Sequence, residues 1–233
     1  MNSVSQFGED LLLWEFFQKK ANGFFVEVGA NHPTICSQTW LLESQGWKGI
    51  LVEPLPGKAQ LLRAQRPGSR VFQVAMGAPE QRGRARFTVA TSDSLSGLTT
   101  HPGVVAARFE DVEVRTLDDI LAEAENPKLD FVSIDVEGSE LQVLCGFDLG
   151  RHRPALLMLE DHLQRLDVHR HLIRNNYRLV KRTGCNNWYV PHDAPFRLST
   201  RVERFQLWKE IYLDTPVRCV RFYIKRRLLK KTD

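Results

Sequence analysis

The stretch that decides the fold is Leu-Asp-Phe-Val-Ser-Ile-Asp-Val-Glu-Gly-Ser-Glu, residues 129–140. A short apolar run with two β-branched residues ends at Asp135, and a helical pattern opens at Gly138. A buried strand of this kind delivers acidic side chains to its carboxyl end, where ligands bind in open α/β sheets. The stretch therefore predicts a strand, then Asp135 and Glu137 in a pocket, then a helix.

Two further segments have the same layout. Residues 24–28 form an apolar run that leads into Gly-Ala-Asn-His-Pro at 29–33, and residues 49–53 form another that ends on Glu53. Acids and a glycine at three strand ends predict a pocket for a cationic ligand that carries a ribose. S-adenosylmethionine has a sulfonium, an ammonium and a ribose, and it fits that description.

Strands and helices alternate along most of the chain. The predicted strands are 24–28, 49–53, 70–75, 129–135 and 155–160, and the predicted helices are 5–20, about 33–46, 56–66, 117–125, 138–145 and 163–175. Five strand–helix repeats indicate an α/β fold with a doubly wound, mostly parallel sheet. Two last strands, 176–182 and 186–191, predict an antiparallel hairpin at the sheet edge.

Local signals predict where four of these helices begin. Ser5 is the expected N-cap of the first helix, and Pro33 suits the first position of the second. Thr116 is the expected cap of helix 117–125, with Asp118 and Asp119 in its first turn. Gly138 is expected to start the helix that ends near residue 145.

The alternation breaks at residues 76–115, an insert rich in Gly, Ser, Thr and Arg with possible hairpin strands at 84–90 and 111–115. Forty residues without a clear helix are too many for an ordinary connection, and such insertions are often functional. We expect this insert to contribute to acceptor binding. The whole domain is predicted to cover residues 1–200, followed by a basic helical tail at 201–233.

Charge is unevenly distributed. Residues 201–233 contain ten Lys/Arg and four Asp/Glu, so they carry +6, while residues 1–200 carry −2. A nearly neutral body does not predict nucleic-acid binding by the whole protein. No apolar stretch is long enough to span a bilayer and no signal-peptide pattern is present. Four scattered cysteines without a CxxC pair fit a reduced, cytoplasmic protein.

A nicotinamide dinucleotide is the main alternative cofactor. Its pyrophosphate needs a Gly-x-Gly-x-x-Gly loop at a helix N-terminus. Residues 27–33 have a single glycine, Gly29, and the preceding Glu27 would repel a diphosphate. Glu53 is well placed to accept hydrogen bonds from ribose hydroxyls. The pattern therefore favours S-adenosylmethionine.

Several blocks together resemble a known family. They are Ser-Gln-Phe-Gly-Glu-Asp at 5–10, Val-Glu-Val-Gly-Ala-Asn at 26–31, Val-Glu-Pro at 52–54, Arg-Thr-Leu-Asp-Asp at 115–119 and Ile-Asp-Val-Glu-Gly-Ser-Glu at 134–140. Over roughly residues 5–162 the chain resembles the FkbM family of S-adenosylmethionine-dependent methyltransferases. The resemblance implies a Rossmann-like class I methyltransferase fold and O-methylation of a hydroxyl, commonly on a sugar or polyketide. Many members have Gly-Ala-Asn-Ile-Gly where this chain has Gly-Ala-Asn-His-Pro.

The strand ends and the family blocks together define a candidate site. Glu53 would bind the ribose, Glu27 the amino group of the cofactor, and Ala75 and Met76 the adenine. The predicted cofactor contacts are Gln6, Asp10, Glu27, Gly29, Asn31, Glu53, Pro54, Ala75, Met76, Asp135 and Glu137, and the candidate acceptor contacts are Ser94, Ser96 and His32. For Gln6 and Asp10 the family pattern implies a helix that covers the cofactor. Each residue also has a structural alternative, as a helix cap, a core position or a solvated strand end.

Methyl transfer to an alcohol needs in-line approach of the alcohol oxygen to the sulfonium methyl group, and a base that removes the hydroxyl proton. Asp135, Glu160 and His162 are the candidate catalytic residues, and Glu137 also lies at the predicted pocket mouth. A divalent ion held by Asp135, Glu160 and Asp161 would acidify a hydroxyl. No further ligand cluster supports such an ion, so no metal is predicted.

These features predict a cytoplasmic O-methyltransferase that uses S-adenosylmethionine and acts on a hydroxyl of a glycan or related metabolite. The alternatives are a catalytically inactive partner subunit of the same fold and methylation of a non-sugar hydroxyl.

Residues 217–231 alternate basic and apolar residues, and Val217, Val220, Ile224 and Leu228 share one helical face. They predict a solvated charge run on a helix packed against the domain, a frayed terminus, or a segment that touches anionic lipid at the inner face of the membrane.

Overall fold

The computed structural model of the protein describes residues 2–91, 96–98, 105–161, 166–215 and 217. The strands in these ranges are β1 (Phe24–Val28), β2 (Lys48–Val52), β3 (Ser69–Phe72), β4 (Ala75–Met76), β5 (Gly83–Ala90), β6 (Ala106–Arg115), β7 (Phe131–Ile134), β8 (Leu156–Glu160), β9 (Tyr177–Thr183) and β10 (Asn186–Pro191). The α-helices are α1 (Glu9–Phe16), α2 (Trp40–Ser44), α3 (Pro56–Gln65), α4 (Leu117–Glu123), α5 (Glu140–Cys145), α6 (Leu149–His152), α7 (Asp167–Arg174) and α8 (Arg201–Lys209). A 3₁₀ turn covers Pro79–Gln81, and a π-helical turn, Glu210–Asp214, continues α8.

Seven strands form the central sheet in the order β3-β2-β1-β7-β8-β10-β9. The first five are parallel, and β10 pairs antiparallel with both β8 and β9. The chain moves outward from β1 to β3 and then returns to place β7 on the other side of β1. Strand order therefore reverses between β1 and β7, which creates a crevice at their carboxyl ends. The predicted parallel sheet with an antiparallel edge hairpin is confirmed.

Apolar layers cover both faces of this sheet. Successive residues of β1 point to opposite faces, so Val26 and Val28 pack in one layer with residues of α4, α5 and α7. Phe25 packs in the other layer, which includes Leu13 of α1, Leu42 of α2 and Leu62 of α3. A parallel strand covered on both faces reads as a continuous apolar run, and this is why the strands were recognisable in the sequence.

Two of the predicted helix starts are close to their observed positions. Thr116 caps α4 as predicted: its Oγ1 accepts from the Asp119 N–H at 3.2 Å, and the Asp119 carboxylate accepts from the Thr116 N–H at 3.1 Å. Gly138 does not begin α5, which starts at Glu140. The Gly138 N–H instead donates to the Glu140 carboxylate at 2.9 Å.

The other two predicted helix starts are wrong. Ser5 is not the N-cap of α1, which begins after Gly8. Its hydroxyl donates to the Asp10 carboxylate at 2.9 Å and accepts from the Asp10 N–H at 3.2 Å. Pro33 is not in a helix, because α2 begins only at Trp40. The buried guanidinium of Arg66 donates to the Pro33 carbonyl at 3.0 Å, within a segment of bends and a turn that separates β1 from α2.

The predicted strand 70–75 is split, which corrects the placement of Ala75 and Met76 at the end of the third strand. β3 stops at Phe72, and the two residues form β4 in a second sheet of order β4-β6-β5. There Ala75 pairs with Val114 of the insert. The insert hairpin is confirmed, with β6 longer than predicted. A small hydrophobic core packs the insert against the end of β2. It consists of Leu55, Ala75, Phe87, Val89, Val112 and Val114.

The C-terminal part of the described chain is α8 and its π-helical turn. Among the described residues, no helix combines the length and apolar character needed to cross a membrane. Of the predicted lipid-binding segment 217–231, only Val217 lies within the described residues.

Candidate active site

A cavity of about 340 Å³ lies at the carboxyl ends of β1, β2, β7 and β8, beside the small sheet. Its position is the point where strand order reverses, the usual ligand site of such sheets. The lining residues are Gln6, Val28, Gly29, Asn31, Cys36, Val52, Glu53, Pro54, Leu55, Lys58, Val74, Ala75, Met76, Phe87, Ser96, Leu98, Asp135, Val136, Glu137, Ser139 and Glu160.

Gly29 forms the turn that ends β1. Its φ is 86°, in the left-handed region that favours glycine, and a Cβ added there would lie 1.8 Å from the Asp135 carbonyl oxygen. The N–H groups of Gly29 and Ala30 both donate to the Val52 carbonyl at 3.0 Å. The glycine thus lets the ends of β1, β2 and β7 approach each other closely under the cavity, since any side chain at this position would collide with the Asp135 backbone.

Glu53 follows β2 and is only 4% exposed. One carboxylate oxygen accepts from the Asn31 N–H at 3.0 Å, and the other accepts from the Leu55 N–H at 2.9 Å. These two bonds tie the turn after β1 to the turn after β2. They also fix the orientation of a charged side chain at the cavity wall.

Three carboxylates, Asp135, Glu137 and Glu160, converge at the other end of the cavity. Each offers an oxygen within 4.8 Å of the others. Burial and the adjacent Glu160 raise the pKa of Asp135 well above its usual range. Burial, Glu160 and Glu140 raise the pKa of Glu137 to about 7. Like charges this close disfavour full ionisation, so a bound cation would stabilise the charged form of this acidic cluster.

The surroundings of the cluster limit the chemistry available there. Burial and the neighbouring Glu160 raise the pKa of the Cys185 thiol to about 12. Cys185 therefore stays protonated near neutral pH, and nucleophilic catalysis by this thiol is disfavoured. Glu137 has a φ of 55°, a conformation that costs free energy for a non-glycine residue and is enriched at functional sites.

The opposite wall of the cavity is apolar. Val74, Ala75 and Met76 line it from the main chain after β3, and Phe87 and Leu98 line it from the insert. The sequence interpretation missed Phe87, Leu98, Leu55, Lys58, Cys36 and Ser139. The alternation of Phe87 and Val89 along β5 was a usable signal for one of them, whereas no local pattern marks Lys58.

Asp10 and His32 do not line the cavity, contrary to their predicted roles. The buried Asp10 carboxylate accepts from Ser5 Oγ and from the Val4 N–H, both at 2.9 Å, and so holds the N-terminal segment. His32 Nδ1 accepts from the N–H of Thr34 at 3.2 Å. Both side chains organise local backbone, while Gln6 from the same N-terminal segment does reach the cavity.

Glu27 is also absent from the cavity wall, which corrects its predicted contact with the cofactor. Its buried carboxylate accepts from the Thr39 hydroxyl and from the Gln38 N–H, the latter at 3.2 Å. Arg66 donates to the same Thr39 hydroxyl at 2.9 Å. Burial raises the pKa of Glu27, and the Arg66 charge opposes this rise. Glu27 therefore organises the segment between β1 and α2.

Of the remaining candidate site residues, one lines the cavity and others lie elsewhere. Ser96 lines the cavity, and its Oγ accepts from the Ala90 N–H at 3.0 Å. Ser94 and His162 lie outside the described residues. Asp161 is not among the converging acids of the described chain, so the trio considered for a metal, Asp135 with Glu160 and Asp161, is not assembled.

The sheet order and the cavity at its switch point define a Rossmann-like methyltransferase fold. The chain belongs to the FkbM methyltransferase domain family, whose sequence model matches residues 27–179. No curated protein matches the sequence significantly.

Two solved structures illustrate how distant the structural similarity is. A methyltransferase from Geobacter sulfurreducens is 12% identical with a TM-score of 0.41, over 81% of this chain and 80% of that one. Precorrin-6y C5,15-methyltransferase from Geobacter metallireducens is 10% identical with a TM-score of 0.44, over 82% and 90% of the two chains.

Proposed function

We propose that this methyltransferase uses S-adenosylmethionine to methylate a hydroxyl of a glycan or related metabolite. The observation that carries the proposal is the acidic cluster of Asp135, Glu137 and Glu160, which shares one cavity with Gly29 and Glu53. A ligand with two positive charges and a ribose matches both ends of this cavity. Burying carboxylates without a counter-charge is costly, and a cationic cofactor would offset that cost.

The residues that line the cavity complement each part of S-adenosylmethionine. Glu53 would accept hydrogen bonds from the ribose hydroxyls, since its carboxylate is fixed at the cavity wall by two backbone N–H groups. The apolar wall that contains Met76 and Phe87 would cover the adenine. The acidic cluster would face the charged methionine portion. When bound, S-adenosylmethionine supplies an electrophilic methyl group on its sulfonium.

The acidic cluster also supports an oxygen acceptor. An alcohol must lose its proton as it attacks, whereas a neutral amine attacks through its lone pair. Burial, and then the neighbouring Glu160 carboxylate, raise the pKa of Asp135. We propose that the acceptor proton is taken up within this cluster. His162 stays a predicted alternative base outside the described residues.

The acceptor would enter beside the insert. Ser96 and Leu98 bring the insert to the cavity wall, so changes in the insert would alter acceptor choice without altering the acidic cluster. A sugar hydroxyl as acceptor rests on the family resemblance, and a non-sugar hydroxyl is the alternative.

Two experiments test the proposal in sequence. Isothermal titration with S-adenosylhomocysteine should give saturable binding, and no binding at hundreds of micromolar would refute the cofactor assignment. Transfer of a labelled methyl group should then be measured on glycans, non-sugar alcohols and amines. Transfer to an alcohol is the expected result. Cofactor binding without transfer to any acceptor would favour the inactive partner subunit.

A further inference from the structure

The C-terminal helix α8 is attached to the domain by ion pairs. Glu203 accepts from Lys181 Nζ at 2.9 Å, and Glu210, in the π-helical turn that follows, accepts from Arg182 Nη1 at 2.8 Å. Both cations belong to β9. No residue of α8 itself is buried. A surface helix normally turns its apolar stripe inward and its charges outward. Here Ile211 of the π-helical turn is buried, but α8 turns Glu203 toward β9 and leaves large apolar side chains exposed.

The opposite side of the helix is apolar and exposed. Val202, Phe205, Trp208, Tyr212 and Leu213 keep 65%, 63%, 49%, 53% and 48% of their surface exposed. The rings of Phe205 and Trp208 stack with centroids 6.1 Å apart, and the ring centroids of Trp208 and Tyr212 are also 6.1 Å apart. The three rings form a continuous surface that runs from α8 into the π-helical turn, and together with the exposed Val202 and Leu213 it is here called the aromatic face of α8. A contiguous exposed patch of this kind marks an interaction site.

Positive charge accompanies the aromatic face. Arg201, Arg204 and Lys209 are exposed on the same helix. The sequence that follows, residues 215–232, contains seven Lys/Arg and no Asp/Glu. A partner for this part of the chain must therefore offer both negative charge and an apolar layer.

We propose that the aromatic face of α8 docks on an anionic lipid surface. Trp and Tyr favour the headgroup level of a bilayer, where the ring is in an apolar layer and its polar atom meets water. Basic residues beside such a face bind anionic headgroups, and the two contributions together anchor an interfacial helix. Val202 and Leu213 offer a nucleic acid neither stacking nor hydrogen bonds. A second copy would bring two basic surfaces together.

Flotation of the full chain with vesicles tests this docking. Vesicles of phosphatidylcholine with about one third phosphatidylglycerol should carry the protein at low salt, and vesicles of phosphatidylcholine alone should not. Salt at about 0.5 M should release it, because headgroup attraction is screened. The double variant Phe205→Ser/Trp208→Ser should lose at least about tenfold in partitioning.

Two further variants separate the apolar from the electrostatic contribution. Phe109→Ser removes an equally exposed aromatic ring from β6, away from α8, and should float like the wild type. The triple variant Lys225→Gln/Arg226→Gln/Arg227→Gln leaves the aromatic face intact and should lose about 100-fold at low salt, at about fivefold for each charge. Circular dichroism and a cooperative thermal unfolding transition confirm that each variant is folded.

Several results would overturn the proposal. They are wild-type protein that stays unbound with the anionic vesicles, equal binding to neutral vesicles, or a Phe205→Ser/Trp208→Ser variant that floats like the wild type. Sedimentation that shows a dimer dissociated by the same double variant would assign the face to self-association. Binding of single-stranded RNA that the same double variant abolishes, in a protein that does not bind the vesicles, would assign it to nucleic acid. None of these readouts depends on methyl transfer, so they are independent of the proposed function.

Discussion

Glu53→Gln is the substitution that best separates the ribose role of Glu53 from its structural role. The carboxylate accepts one backbone N–H on each oxygen, from Asn31 at 3.0 Å and from Leu55 at 2.9 Å. A glutamine keeps one acceptor oxygen, while its NH₂ group faces the second N–H. One buried donor thus loses its partner, at a cost of about 1–3 kcal/mol in unfolding free energy.

Loss of the Glu53 charge should also weaken cofactor binding. Hydrogen bonds to a charged group contribute about 1.5–3 kcal/mol, so loss of the carboxylate charge should weaken S-adenosylhomocysteine binding by about 10- to 150-fold. The melting temperature should fall by roughly 2–4 °C for each kcal/mol lost, given the size of the chain. Glu53→Ala removes both acceptors and should destabilise the protein more than Glu53→Gln.

The assay combines isothermal titration well below the melting temperature with thermal unfolding of the same samples. Glu113→Gln is the matched control, because Glu113 lies exposed on β6 and does not line the cavity; it should change neither quantity. If Glu53→Gln melts at the lower temperature yet binds S-adenosylhomocysteine as the wild type does, Glu53 only joins the two turns and the ribose assignment is wrong.

Three other predictions concern the same cavity. Asp135→Asn should lower kcat by about 100-fold or more if Asp135 takes the acceptor proton, a far larger effect than the accompanying rise in KM for the donor. Steady-state kinetics that show only a KM increase would make it a binding residue. Because the pKa of Glu137 is raised to about 7, affinity for the methyl donor should increase as pH rises through that value, and binding should release protons. Titrations across this range that show a constant affinity would contradict a role of Glu137 in donor binding. The same shift means that Glu137 stabilises the fold below its unfolded pKa and loses that contribution as pH rises through about 7. Gly29→Ala should lower the free energy of unfolding, measured in urea, by about 2 kcal/mol or more, because the added Cβ meets the Asp135 carbonyl. Gly57→Ala in α3 is the control: its Cβ meets nothing within 4 Å, so it should be neutral or stabilising.

Features that depend on neighbouring residues were predictable from the sequence. β7 was recognisable because its apolar run is buried on both faces, and Asp135 follows it directly. The Thr116 cap was also predictable, since its partner Asp119 is three residues away. The same logic placed Gly29, Glu53 and Asp135 at one edge, because parallel strands align their carboxyl ends. The number and order of strand–helix repeats then determined the fold class.

Contacts between distant segments decided the rest. Pro33 carries a helix-start signal, but Arg66 binds its carbonyl and delays α2 to Trp40. Ala75 leaves the central sheet because Val114, far along the chain, offers a pairing partner.

Glu27 and Glu53 show why the site could not be read completely from the sequence. Both are acids at the ends of neighbouring parallel strands, yet Glu27 bonds to Thr39 in the interior beside Arg66, whereas Glu53 lines the cavity. The sequence by itself determined which strands deliver acids to the sheet edge, because burial and periodicity are local properties. Only the tertiary structure decided which acids face the cavity, because that depends on counter-charges and packing partners brought close by the fold.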